Sequence, residues 1–128
     1  MKLNMVLAIL AAGTAMTLPS AAPAHPKFVA GSPAANVAAA KPTSVKLTFS
    51  ERLIPKLSGA TLIMTGMAGM TNHPDMKMPG IATALSVDGR SIVLTSSTPL
   101  PAGTYRVDWA VVGADAHRVT GAHSFAVN

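Results

Sequence analysis

Thr104-Tyr105-Arg106-Val107-Asp108-Trp109-Ala110-Val111-Val112 is the stretch that decides the fold. Successive side chains of an extended chain point to opposite faces. Tyr105, Val107, Trp109 and Val111 therefore share an apolar face, and Arg106 and Asp108 share the other. The pattern predicts a strand lying against the centre of a core, with Trp109 as a core residue. The same period of two recurs in Val45, Leu47 and Phe49, which alternate with Ser44, Lys46 and Thr48. Working outward, strands are expected at Phe28–Ala30, Ala60–Thr65, Ile81–Val87, Ser91–Thr95 and His123–Val127. Asp88-Gly89 is a tight-hairpin signal, because both residues tolerate positive φ. Helical periodicity is absent. About seven short strands separated by turn signals predict an all-β sandwich or barrel.

The chain has 128 residues, of which 12% are charged and 49% hydrophobic, with a formal charge of +5. That composition excludes a disordered charged tail and a coiled coil. The cations are spread singly and aromatic residues are only 4%, so nucleic-acid binding is excluded as well. Lys2, the apolar run from Met5 to Met16 and Ala22-Pro23-Ala24 form an export signal with cleavage after Ala24. Residues 1–24 are then a removed leader and residues 25–128 a single β domain of 104 residues carrying +4. The apolar run is shorter than the roughly 20 residues a membrane span requires, so the exported product is expected to be soluble and periplasmic. There is no cysteine, so soft-metal chemistry would rest on thioethers and imidazoles.

From Gly66 to Gly80 no strand pattern is visible, yet the run beginning at Met64 carries Met64, Met67, Met70, His73, Met76 and Met78. Gly66, Gly69, Pro74 and Pro79 argue against a helix despite the three-residue rhythm. Two readings stand for these thioethers. Methionines fill uneven gaps in cores, which suits Met64 at a strand end. Alternatively, the loop is a site for Cu(I) or Ag(I), since these ions prefer thioether and imidazole donors whereas Zn(II), Mg(II) and Ca(II) do not.

A harder donor set lies elsewhere. Asp115 and His117 are two residues apart, and in an extended segment both would point to the same side. After cleavage, His25 becomes the N-terminus and can chelate through its α-amine and imidazole together. Pro26 has no amide N–H, so the next backbone nitrogen cannot become a ligand. An amine, two imidazoles and a carboxylate suit tetragonal Cu(II).

Taken together, these residues resemble the periplasmic copper-resistance and copper-binding proteins of the CopC and PcoC type. The likeness runs from His25-Pro26-Lys27 through Phe49-Ser50-Glu51 and the methionine loop to Thr104–Trp109, Asp115-x-His117, Gly121 and Phe125. The resemblance implies a Greek-key β-sandwich or barrel, immunoglobulin- or cupredoxin-like, with a Cu(II) site at one end and a Cu(I) site at the other. It implies that His25, Asp115 and His117 hold Cu(II), and that His73 with some of Met64, Met67, Met70 and Met76 holds Cu(I). The spacing departs from the family pattern, since both Thr71 and Asn72 separate Met70 from His73, and Met78 is a possible substitute ligand. Glu51 is expected to be a surface or supporting carboxylate, and His123 a strand residue beside the core. The implied role is a copper carrier or buffer, not an enzyme, passing copper to an inner-membrane transport protein like CopD. Two rivals use the same residues: a histidine-brace copper oxygenase, and an immunoglobulin-like structural module in which the ligands are incidental.

Overall fold

The computed structural model describes residue 13, residues 15–18 and residues 25–128. Most of the export signal and its cleavage site at Ala24 lie outside the described residues. Among the described residues there are eight strands: β1 (Phe28–Ser32), β2 (Ser44–Phe49), β3 (Gly59–Met67), β4 (Met76–Lys77), β5 (Ile81–Leu85), β6 (Ser91–Ser96), β7 (Gly103–Val112) and β8 (Arg118–Val127). They form two four-stranded antiparallel sheets, ordered β1-β2-β6-β5 and β4-β3-β7-β8. Consecutive pairs are neighbours, and β2 beside β6 and β3 beside β7 join pairs distant in sequence, as in Greek-key sandwiches. Among the described residues no helix is long and apolar enough to cross a membrane.

The alternation in β7 acts as expected. Tyr105, Val107, Trp109 and Val111 are buried and pack with Val45, Leu47 and Phe49 of β2 and Ile92 and Leu94 of β6. Tyr105 stacks on Phe125 with ring centroids 5.3 Å apart, and its hydroxyl donates to the Pro101 carbonyl at 2.6 Å. Burial pushes this phenol's pKa up. Trp109 lies beneath Phe28 and against Phe49. Its indole covers Gly121, the residue directly opposite on β8, where any Cβ would collide with the ring.

Several boundaries differ from the sequence expectation, among them β1, which runs on to Ser32, and β5, which stops at Leu85 instead of Val87. β8 begins at Arg118, five residues before His123; Val119 is only half-buried against the core and Gly121 stands where the next inward side chain would be, which hides the alternation. The Gly66–Gly80 stretch is not wholly irregular: β3 continues to Met67, and Met76–Lys77 returns as an eighth, two-residue strand. β3 can extend past Gly66 because a bulge between Met64 and Gly66 absorbs the extra residue there.

Candidate metal centre

The N-terminal end of the domain is seated by Pro26. Its ring is fully buried and rests against Gly113, where a Cβ would stand 2.7 Å from Pro26 Cγ. The next residue is fixed on both sides of its peptide. Lys27 N–H donates to Ser50 Oγ at 2.9 Å, and Ser50 N–H donates to the Lys27 carbonyl at 2.8 Å. Gly113 also opens the turn between β7 and β8, which Ala116 N–H closes by donating to the Gly113 carbonyl at 3.0 Å. One glycine thus supports both the segment carrying His25 and the turn carrying Asp115 and His117.

The nearest donor atoms of His25, Asp115 and His117 all lie within 4.8 Å of one another. The two imidazoles are exposed and meet edge to face with centroids 5.0 Å apart, while the Asp115 carboxylate is sunk between them. Asp115 Oδ2 contacts His25 Nδ1 and lies 3.6 Å from His117 Nδ1, yet receives no well-directed hydrogen bond. Asp115 Oδ1 accepts from His117 N–H at 3.2 Å. Desolvation pushes the Asp115 pKa up, but it is outweighed by the His117 amide and the His25 and His117 rings, so the net shift is downward. The carboxylate is therefore held ionised, as a metal ligand must be.

The convergence of Asp115 and His117 does not come from an extended segment. Both lie in a turn, and Ala116 between them takes φ +63°, a left-handed conformation costing about 1–2 kcal/mol for a non-glycine residue. Strain of this kind persists where surrounding structure over-determines it, and such places cluster at functional sites. Glu51 stands outside the three-residue group. His123 is buried beside the core, its Nε2 2.8 Å from the Pro33 carbonyl and its ring over Gly31, as the alternation with Phe125 and Val127 implied.

The methionine loop lies at the other end of β7. Met67 is paired with Gly103, the first residue of β7, and Asp115 follows Val112, the last. Ten residues at ~3.3 Å per residue separate the two places by about 30 Å. Met64 is in the core at 1% exposure, whereas Met67, Met70 and Met76 are 38%, 53% and 43% exposed. Met64 and Met76 are directly opposite on β3 and β4, so their side chains share one face. Met78 is half-buried against the core. His73 is half-buried, and its Nδ1 is buried with no hydrogen-bond partner.

Buried polar atoms are paired in the great majority of cases, so the exceptions are informative. Among the described residues three buried side-chain atoms lack a partner: Asp115 Oδ2, His73 Nδ1 and Trp109 Nε1. Two of the three belong to the two candidate sites, and both are Lewis-basic atoms.

The family model of the CopC domain matches residues 28–128. The chain belongs to the CopC family. Copper resistance protein C of Escherichia coli is 45% identical over 120 residues, covering 94% of each chain. Copper resistance protein C of Xanthomonas campestris pv. juglandis is 48% identical over 104 residues, covering 81% of this chain and 80% of that one. The crystal structure of PcoC, a methionine-rich copper resistance protein from Escherichia coli, superimposes with a TM-score of 0.74 at 44% identity, covering 82% of this chain and all of that one. CopC from Methylosinus trichosporium OB3b gives a TM-score of 0.61 at 27% identity, covering 81% of this chain and 94% of that one. The CopC-domain match begins after the His25-Pro26-Lys27 segment, so the place of His25 in the site rests on this chain's own packing. The residues that seat it, Ser50 and Gly113, went unrecognised in the sequence as supports. In the sequence Ser50 is only the middle residue of Phe49-Ser50-Glu51, and Pro26 signals only a missing N–H, so neither announces the packing it makes.

Proposed function

We propose that this CopC-family protein is a periplasmic copper carrier that holds Cu(II) at His25, Asp115 and His117 and Cu(I) at the methionine loop, and passes copper to an inner-membrane transport protein. The observation that carries the reading is the convergence of two imidazoles and one ionised carboxylate from positions 25, 115 and 117 within 4.8 Å. That donor set suits Cu(II), and the α-amine freed by cleavage after Ala24 would complete it. The unpartnered His73 Nδ1, together with the exposed Met67, Met70 and Met76, supports a soft-metal site about 30 Å away, with Met64 as a further donor from the core side. Neutral thioethers do not titrate, so protons do not compete with the metal for those donors. Two sites of different softness let one small domain hold both oxidation states without exchanging them between ligands. The role is carriage and not catalysis, because Asp115 stands beside both imidazoles in a position that an oxygen-activating copper would need open.

The test is electron paramagnetic resonance on the protein beginning at His25, with one equivalent of Cu(II), against a version bearing one additional N-terminal glycine. A nitrogen-rich tetragonal spectrum that collapses in the extended version is expected. Identical spectra from the two would refute the amine as a ligand.

A further inference from the structure

The outer face of β7 carries an ion cluster that neither copper site uses. Arg106 Nε donates to Asp108 Oδ1 at 2.8 Å and Nη2 donates to Asp108 Oδ2 at 3.3 Å, a two-pronged pairing along one strand. The remaining arm, Nη1, donates to Asp75 Oδ2 at 3.1 Å. Asp75 lies within the methionine loop, two residues after His73 and one before Met76. It is also the residue immediately before β4.

β4 needs such help. It has two residues, paired only as Ile63 with Lys77 and Met64 with Met76, with Met78 N–H donating to the Leu62 carbonyl just beyond. A ladder that short at a sheet edge frays readily. Arg106, Ile63 and Lys77 occupy one row across β7, β3 and β4, so a guanidinium on β7 reaching Asp75 ties the loop down beside β4. If β4 slipped by one residue, Met76 would turn to the opposite face and leave Met64.

We propose that Arg106, oriented by Asp108, is a positioning residue for the methionine loop: by holding Asp75 it sets the register of β4 and presents His73 and Met76 as donors to a soft monovalent metal ion. This rests on the reading of the loop as a Cu(I) site. Arginine suits this place because its planar guanidinium directs Nε–H and Nη2–H to one carboxylate and Nη1–H to the other, whereas the three N–H groups of lysine radiate from a single nitrogen and cannot reproduce that fork. Preorganisation of the loop would appear as affinity, since an untethered loop must be ordered when the ion binds.

The experiment measures Cu(I) affinity by competition with a chromogenic chelator, and Cu(I) coordination by X-ray absorption, for the wild type, Asp75→Asn, Arg106→Gln, Arg106→Lys and the Asp75→Asn/Arg106→Gln double variant. Each single variant is expected to weaken Cu(I) binding by about three- to tenfold, to lower the number of sulfur and imidazole scatterers, and to leave the Cu(II) spectrum unchanged. The double variant is expected to lose no more than either single one, which a merely additive surface effect would not produce. Asp75 is exposed, so Asp75→Asn keeps the test open if Arg106→Gln fails to fold. Wild-type Cu(I) binding that all variants retain, with unchanged absorption spectra, would overturn the clamp alone. Absence of Cu(I) binding by the wild type would overturn the loop reading and the clamp together.

Discussion

Gly113→Ala isolates the contact that brings the N-terminal end of the domain to the turn. The new Cβ would stand 2.7 Å from Pro26 Cγ and 3.0 Å from Cδ. Carbon atoms rest at about 3.5–4.0 Å, so one side must retreat by roughly 1 Å. The proline ring has no rotamer by which to escape, and Gly113 is tied into the turn by the hydrogen bond from Ala116. Overpacking of this kind costs about 1–3 kcal/mol if everything stays in place. The alternative is that Pro26 leaves its seat, exposing on the order of 100 Å² of apolar surface and losing about 2.5 kcal/mol at ~25 cal/mol/Å². The lower end of the first range and the second figure bracket the penalty, because the chain takes the cheaper route. Releasing Pro26 frees His25 without opening the core, so Cu(II) binding should weaken together with a modest loss of stability. A penalty of about 1–2.5 kcal/mol corresponds to a roughly 5- to 70-fold weaker Cu(II) affinity. Competition titration against a chelator reads this directly, with thermal unfolding as the companion measurement. Gly59→Ala is the control, since nothing lies within 4 Å of a Cβ there. Cu(II) affinity within twofold of wild type in Gly113→Ala would refute the argument that the Pro26 seat holds His25 in the site.

Two further outcomes follow from the same geometry. Met64→Leu keeps the volume of a fully buried side chain and should cost less than about 1.5 kcal/mol in denaturant unfolding, whereas Met64→Ala should cost about 2–5 kcal/mol; if Met64 also serves as a donor, Met64→Leu will weaken Cu(I) binding at nearly unchanged stability. Asp88 is held below the usual carboxylate range by the Ser86 hydroxyl at 2.5 Å and the Arg90 amide at 3.1 Å, so its contribution is complete above the unfolded-state pKa near 3.9 and is lost as pH falls through the lower folded value. Asp88→Asn should accordingly be less stable than wild type at pH 6–7, with the gap closing below about pH 4; a gap that persists at pH 2 would mean that packing of the hairpin, and not ionisation, makes the difference.

Much of the architecture was legible because a strand's signature is local. Tyr105, Val107, Trp109 and Val111 announce an inward face within one nonapeptide, and Val45, Leu47 and Phe49 do so within another. The pattern failed where local identity and tertiary environment diverge. The Trp109 ring occupies the space where a side chain at Gly121 would stand, so the apolar series on the inward face of β8 is interrupted between Val119 and His123. Met76–Lys77 is too short to carry a pattern, and it is a strand because β3 lies beside it. At the candidate Cu(II) site the residue types were visible, but the route to their convergence was not. Ala116 turns left-handed, which no alanine signals by itself, since the conformation is imposed by the turn closing on Gly113.

By itself the sequence determined which residue types could serve as donors, which faces of the strands are apolar, and that the chain builds a sheet sandwich instead of a helical bundle. These follow from side-chain chemistry and from the two-residue period of an extended backbone, both set within a few bonds. Only the tertiary structure decided that His25 meets Asp115 across ninety positions, that Met64 faces inward opposite Met76, and that Arg106 reaches into the methionine loop. Those outcomes depend on a proline ring filling the space above a glycine and on which strands lie side by side. Such contacts act through space between segments whose local sequences carry no trace of one another.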